Sequence, residues 1–117
     1  MHFVISATYG PTDPTRAMLP FIFAATALQE GDSVTLMLFA DSVFTAVEGA
    51  AARLVPVGPP NKYEDVAMHP KATIWVCKPC LDARGLGAAA LDKRTQPGGM
   101  GDFLAAAKLP DAKVVNF

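Results

Sequence analysis

The segment Ser33-Val34-Thr35-Leu36-Met37-Leu38-Phe39 has an almost continuously apolar centre, and this limits the possible folds more than any other stretch of the chain. A strand with one wet face alternates apolar and polar residues. A nearly unbroken apolar strand is instead buried on both faces, as in parallel sheets covered by crossover helices. Its neighbours are read from similar stretches: residues 3–7, ended by the turn residues Gly10-Pro11; residues 73–76, which run into Cys77; and residues 112–117. Residues 54–57 are read as a brief edge strand, because Pro56 lacks the donor that a central strand needs.

Helix signals lie between these runs. Asp13-Pro14 supplies an N-cap followed by a proline in the first turn, and Met18, Phe21, Ile22, Ala25 and Leu28 recur at helical spacing until Gly31. Pro20 is expected to kink this helix or split off its first turn. Asp41 or Ser42 is expected to cap a short helix containing Phe44, Val47 and Ala50. Residues 62–69, 86–91 and 101–107 are read as further helical segments, and the polar run 92–99 as a mobile loop. Strand and helix signals repeating in this way predict one domain over residues 1–117. The expected architecture is α/β: an open, three-layer, mainly parallel five-stranded sheet with helices on both faces.

Composition narrows the functional classes. The formal net charge is -1, from ten basic and eleven acidic residues without a charged block, so nucleic acid and anionic membrane surfaces are not expected partners. No apolar stretch approaches the roughly 18 residues of a membrane span, and Met1-His2-Phe3 carries no basic leader, which points to the cytoplasm. Charged residues make up only 18% of the chain, against roughly 25% in ordinary soluble domains, so part of the surface is expected to be covered by sister subunits. The apolar residues 18–23 and the strand around Trp75 are the expected contact surfaces.

The chemistry-bearing motif is Cys77-Lys78-Pro79-Cys80, which follows the strand ending at Val76 and leads into Leu81-Asp82-Ala83-Arg84-Gly85. In a reducing compartment a close cysteine pair points to catalysis, redox exchange or metal binding rather than to a structural staple. Sites in open parallel sheets gather beyond the carboxyl ends of the strands, near the reversal of strand order. Cys77 is at such an end, where free amides near Cys80 and Leu81 are expected to lower its pKa and keep it open to a partner. The same edge should collect Tyr9 and Gly10 after the first strand and Asp41 and Ser42 after the second, with Lys78 and Arg84 adding positive charge. Asp13 is read as a helix cap, and His69 as a solvent-facing residue at a helix end.

A thiolate at position 77 can accept a sulfur from a donor and hold it as a persulfide, which Cys80 can then resolve. Thioredoxin-type dithiol exchange is an alternative, although there the motif follows an early strand. Structural zinc needs four ligands, commonly two such pairs or one pair with two histidines. Only one pair, His69 and His2 are present here, so neither a metal nor an organic cofactor is expected. Both cysteines can also be read as small packing residues.

The opening strand followed by Gly10-Pro11-Thr12-Asp13-Pro14, the helix of residues 19–28, the strand of residues 34–39, and Ile74-Trp75-Val76-Cys77 followed by Ala83-Arg84-Gly85-Leu86 resemble the DsrE/DsrF-like family. The closing helix around Phe103-Leu104 and the strand of residues 114–117 also fit, so the likeness covers nearly the whole chain. It implies an α/β fold with a parallel core and assembly into homotrimers or hexamers. It also implies sulfurtransferase chemistry, with Cys77 at the sulfur-carrying position and a donor or acceptor protein or small thiol as partner. Cys80 has no counterpart in the relay proteins of that family. A non-enzymatic ligand- or protein-binding oligomer of the same fold is the competing class.

Overall fold

In the computed structural model, which describes residues 1–117, the apolar runs are parallel strands: β1 (His2–Ala7), β2 (Ser33–Leu38) and β3 (Ala72–Cys77). With β4 (Thr95–Gly98) and β5 (Ala112–Asn116) they form one five-stranded sheet in the order β4-β3-β2-β1-β5, parallel throughout. The fold is α/β, with helices α1 (Pro14–Gln29), α2 (Tyr63–Ala67), α3 (Lys78–Ala83) and α4 (Met100–Ala107).

Side-chain alternation divides the sheet into two faces. Ile5 and Ala7 of β1, Leu36 and Leu38 of β2, and Ile74 and Val76 of β3 join Ala17, Met18, Phe21, Ala24 and Leu28 of α1 in the main core. Val4 and Met37 are wholly buried but lie outside that cluster, on the opposite face, which α4 crosses on its way from one sheet edge to the other. The two-faced burial of β2 is what its unbroken apolar run requires.

The second face is thinly covered. No residue of α4 is buried, although Phe103 meets Phe39 edge to face at a centroid distance of 5.5 Å. Met100 is 64%, Leu104 52% and Val114 46% exposed.

Several elements differ from the sequence reading. Residues 54–57 are not a strand, and Val55 and Val57 face solvent. The outer edge beside β3 is instead Thr95–Gly98, within the run read as mobile. Thr95 Oγ1 donates to the Asp92 carbonyl at 2.7 Å and the Asp92 amide donates to the Ala46 carbonyl at 2.8 Å, which holds the polar segment in register. Pro97 is tolerated there because an edge strand leaves one row of donors unused. α1 runs unbroken through Pro20. The segment after β2 is a 3-10 helix, Ala40–Ala46, with Phe39 at its N-cap rather than Asp41 or Ser42. Met18 and Phe21 are spent on the protein's own core, which leaves only Leu19 of that stretch exposed, at 38%.

Candidate thiol site at the carboxyl edge of the sheet

β3 ends at Cys77, which is also the N-cap of α3, with Pro79 in the first turn and Gly85 beyond the last, at φ +67. Glycine suits this left-handed position, and the helix stops there. Because β1, β2 and β3 run the same way, the loops after all of them share one edge. Gly10 lies so close to the 3-10 segment that a Cβ at this position would stand 2.3 Å from the Asp41 carbonyl oxygen. Asp41 in turn accepts from Arg84, whose Nε and Nη2 donate to Oδ1 at 3.0 and 2.9 Å. Arg84 Nη1 donates to the Cys80 carbonyl at 3.1 Å, so one guanidinium joins the segment after β2 to the helix after β3.

The strand-order reversal lies between β1 and β5, whereas Cys77 ends β3, two strands away, and Cys80 is on the helix that follows it. The site is therefore at the expected edge but not at the reversal. The cause is β5, which adds beyond β1 instead of beside β3.

Both cysteines are free. Cys77 is only 7% exposed and is part of the main core cluster. Burial pushes its thiol up, and the Cys80 side chain adds to this. The Cys80 amide and the Arg84 charge act the other way without prevailing. The expectation of an ionised, open Cys77 is thus overturned: flanking segments cover the strand end, and desolvation outweighs the amides.

Cys80 is half-buried, and its Sγ accepts the Ala40 amide at 3.3 Å. Ala40 is the sole non-glycine residue with positive φ, at +50. Nothing in the identity of an alanine marks it for this role, so sequence reasoning missed it.

Other expected site residues diverge. Lys78 is exposed and paired with Asp82 through Nζ at 3.1 Å, pointing along its own helix into solvent. Tyr9 is 47% exposed and lies under the Arg16 guanidinium, 5.6 Å from the ring centroid. Ser42 is wholly buried, and its Oγ has no hydrogen-bond partner. Asp13 caps α1 through the Arg16 amide at 3.1 Å, as read. His69 Nδ1 accepts the Lys71 amide in an exposed turn. No three His, Cys, Asp or Glu side chains are grouped to hold a metal ion.

A separate cleft of about 800 Å³ opens beside the start of α2, lined by Glu48, Asn61, Tyr63, Glu64, Asp92 and Arg94 among others. Three of its charges, Glu64, Asp92 and Arg94, are mutually paired. Tyr63 donates to Asp92 at 3.0 Å, and Arg94 bridges Asp92 and Glu64. The Arg94 guanidinium is the main reason the Asp92 carboxyl is held down at about 2.

This doubly covered parallel α/β sheet, with paired thiols at its carboxyl edge, defines the class to which the chain belongs. Residues 1–117 match the DsrE/DsrF-like family, and the chain is a member of it. It is 34% identical over 119 residues to the uncharacterized protein MJ0989 of Methanocaldococcus jannaschii, covering all of both chains. Among solved structures it is similar to the ychN protein of E. coli, with a TM-score of 0.79 and 21% identity, over 100% of this chain and 99% of that one. It is also similar to MTH1491 of Methanobacterium thermoautotrophicum, a protein of unknown function, with a TM-score of 0.72 and 11% identity over 99% and 96% of the two chains. No helix is long and apolar enough to cross a membrane.

Proposed function

We propose that the protein carries sulfane sulfur on the Cys77/Cys80 pair, taking it from a persulfide donor and passing it to a thiol acceptor. The observation that carries this reading is the pairing itself. Two free thiols lie at the carboxyl edge of a DsrE-type sheet, one ending β3 and the other in the first turn of the helix that follows, with Arg84 bonded to the Cys80 carbonyl and anchored by Asp41. Sulfur transfer between thiols needs a nucleophilic sulfur and a leaving thiolate, and a neighbouring cation and amides stabilise the charge on both. Tyr9, Gly10 and Asp41 then shape the rim of the site rather than react.

The working unit of this reading is a homo-oligomer. The low charge content and the exposed Met100, Leu104 and Val114 on the thinly covered face support a second copy as the partner there. The test of function is mass spectrometry of the intact protein after brief exposure to inorganic polysulfide. Gain of one sulfur, removed by dithiothreitol and absent when both cysteines are replaced, is the expected result. A protein that never gains sulfur is not a carrier.

The competing reading, a ligand-binding oligomer without turnover, draws its support from the burial of Cys77 and from the separate cleft beside Tyr63. In that case alkylation of both thiols near neutral pH is slow and the polysulfide experiment is blank.

A further inference from the structure

We propose that the cleft beside α2 binds small organic carboxylates on the guanidinium of Arg94, and that Glu64 holds that position until a ligand displaces it. This site is separate from the thiols, and the sulfur-carrier reading neither supports it nor depends on it.

The two partners of Arg94 are held very differently. On one side, Nε donates to Asp92 Oδ1 at 3.0 Å and Nη2 donates to Asp92 Oδ2 at 2.7 Å. The Asp92 side chain is only 13% exposed, and it also accepts the Tyr63 hydroxyl and the Arg94 amide, each at 3.0 Å. Tyr63 is itself buried, with its ring against Phe21. The core thus fixes this carboxylate, and the carboxylate fixes the guanidinium. On the other side, Nη1 and Nη2 donate to Oε1 and Oε2 of Glu64. The Glu64 side chain is 66% exposed, and its carboxylate bonds to nothing but Arg94.

A guanidinium edge with two parallel N–H donors matches a carboxylate in bidentate fashion. Asp92 sets the plane of that edge, so the edge keeps its aim when Glu64 leaves. Exposed ion pairs contribute little to stability, and a long side chain regains rotamer freedom on release, so displacing Glu64 costs little. Glu64 is an internal stand-in for the carboxylate of a ligand.

The surrounding space suits an organic acid better than a bare ion. The cleft holds about 800 Å³, a volume usual for small-molecule sites. Val47, Ala51 and Ala52 line it with apolar surface for a carbon skeleton. Lys93 also lines it and takes part in no ion pair, so it offers a second cation to a dicarboxylate. Glu48, of opposite sign and equally unpaired, limits the negative charge that the cleft accepts.

The experiment is isothermal titration calorimetry of the full chain with butyrate, glutarate and, as the charge control, butylamine. Wild type, Glu64→Gln and Arg94→Gln are compared, with circular dichroism as the check on folding. Both carboxylates should bind saturably, glutarate the more tightly, and butylamine should not bind. Glu64→Gln removes the competing carboxylate and should tighten both by up to about fivefold, whereas Arg94→Gln should weaken both at least about tenfold. Arg94→Gln also strips Asp92 of its cation, so Glu64→Gln, altered only at the surface, decides the matter if Arg94→Gln proves unfolded. Binding to Glu64→Gln no tighter than to wild type, or butylamine binding as well as butyrate, overturns the assignment to the Arg94 edge. No saturable binding to wild type or Glu64→Gln at up to about 10 mM ligand overturns the site altogether. Sulfur loading of the thiols is read separately with polysulfide, so failure here and failure of the carrier reading are distinct results.

Discussion

The backbone N–H of Ala40 donates to the sulfur of Cys80 across 3.3 Å, joining residues 40 positions apart and coupling the segment after β2 to the helix after β3. The contact uses a backbone conformation that alanine adopts only with strain, φ +50. A left-handed alanine costs about 1–2 kcal/mol, whereas glycine accepts the geometry and gives back about 0.5–1 kcal/mol through its freer unfolded chain. Ala40→Gly should therefore raise stability in urea denaturation by up to about 1 kcal/mol, and Ala40→Val should lower it by about 2 kcal/mol. Equal midpoints for the three proteins would show that the strain is not there.

The closeness of Gly10 to Asp41 predicts a larger effect. A methyl group at Gly10 meets the Asp41 carbonyl oxygen at 2.3 Å, and backbone cannot swing aside as a flexible side chain can. Gly10→Ala should cost about 2 kcal/mol or more. Because Asp41 holds Arg84, the same change should alter the rate at which iodoacetamide modifies Cys80. A variant as stable as wild type, with unchanged alkylation, would place the two loops further apart.

The Asp92 carboxyl, held at about 2 chiefly by Arg94, ties acid stability to the edge strand β4. Its folded-state value lies below the ordinary 3.8, so its contribution is fully present above the ordinary value and disappears as pH falls through about 2. Asp92→Asn should lower stability at neutral pH by about 1 kcal/mol, after allowance for solvent screening, and flatten the loss of stability between about pH 4 and pH 2. Denaturation midpoints measured across that range check both effects. An unchanged acid limb would remove Asp92 from the account.

Leu104 and Val114, both about half exposed on the face that α4 covers thinly, predict self-association. Light scattering at micromolar concentration should give a mass several times that of the 12.3 kDa chain, and Leu104→Glu should shift it toward the monomer. A monomeric wild type would leave the exposed apolar residues without this explanation.

Much of the sheet is legible in the sequence because burial on both faces leaves a direct mark. The runs in β2 and β3 contain apolar residues at consecutive positions, and the stripe from Met18 to Leu28 gives α1. β4 is not legible, because Thr95-Gln96-Pro97-Gly98 has no apolar pattern and is fixed by bonds from Asp92 to its own strand and to Ala46. Residues 54–57 mislead for the converse reason: their valines are apolar yet lie at the surface. At the site, the strand-end position of Cys77 and the grouping of Gly10, Asp41 and Arg84 follow from parallel topology. Thiol accessibility does not, since it depends on how the 3-10 segment and α3 pack over the strand end, and no local pattern encodes that packing.

The sheet order has a consequence for how the molecule is made. β1 is paired on one side by β2, but its other side waits for β5, so that Ser6 meets Asn116 across 110 positions of chain. During synthesis the inner strand keeps a bare row of amides and carbonyls until α4 has carried the polypeptide back over the whole sheet. A growing chain in that state can capture the corresponding strand from a neighbour on the same messenger, and exchange between nascent chains is the hazard this topology carries.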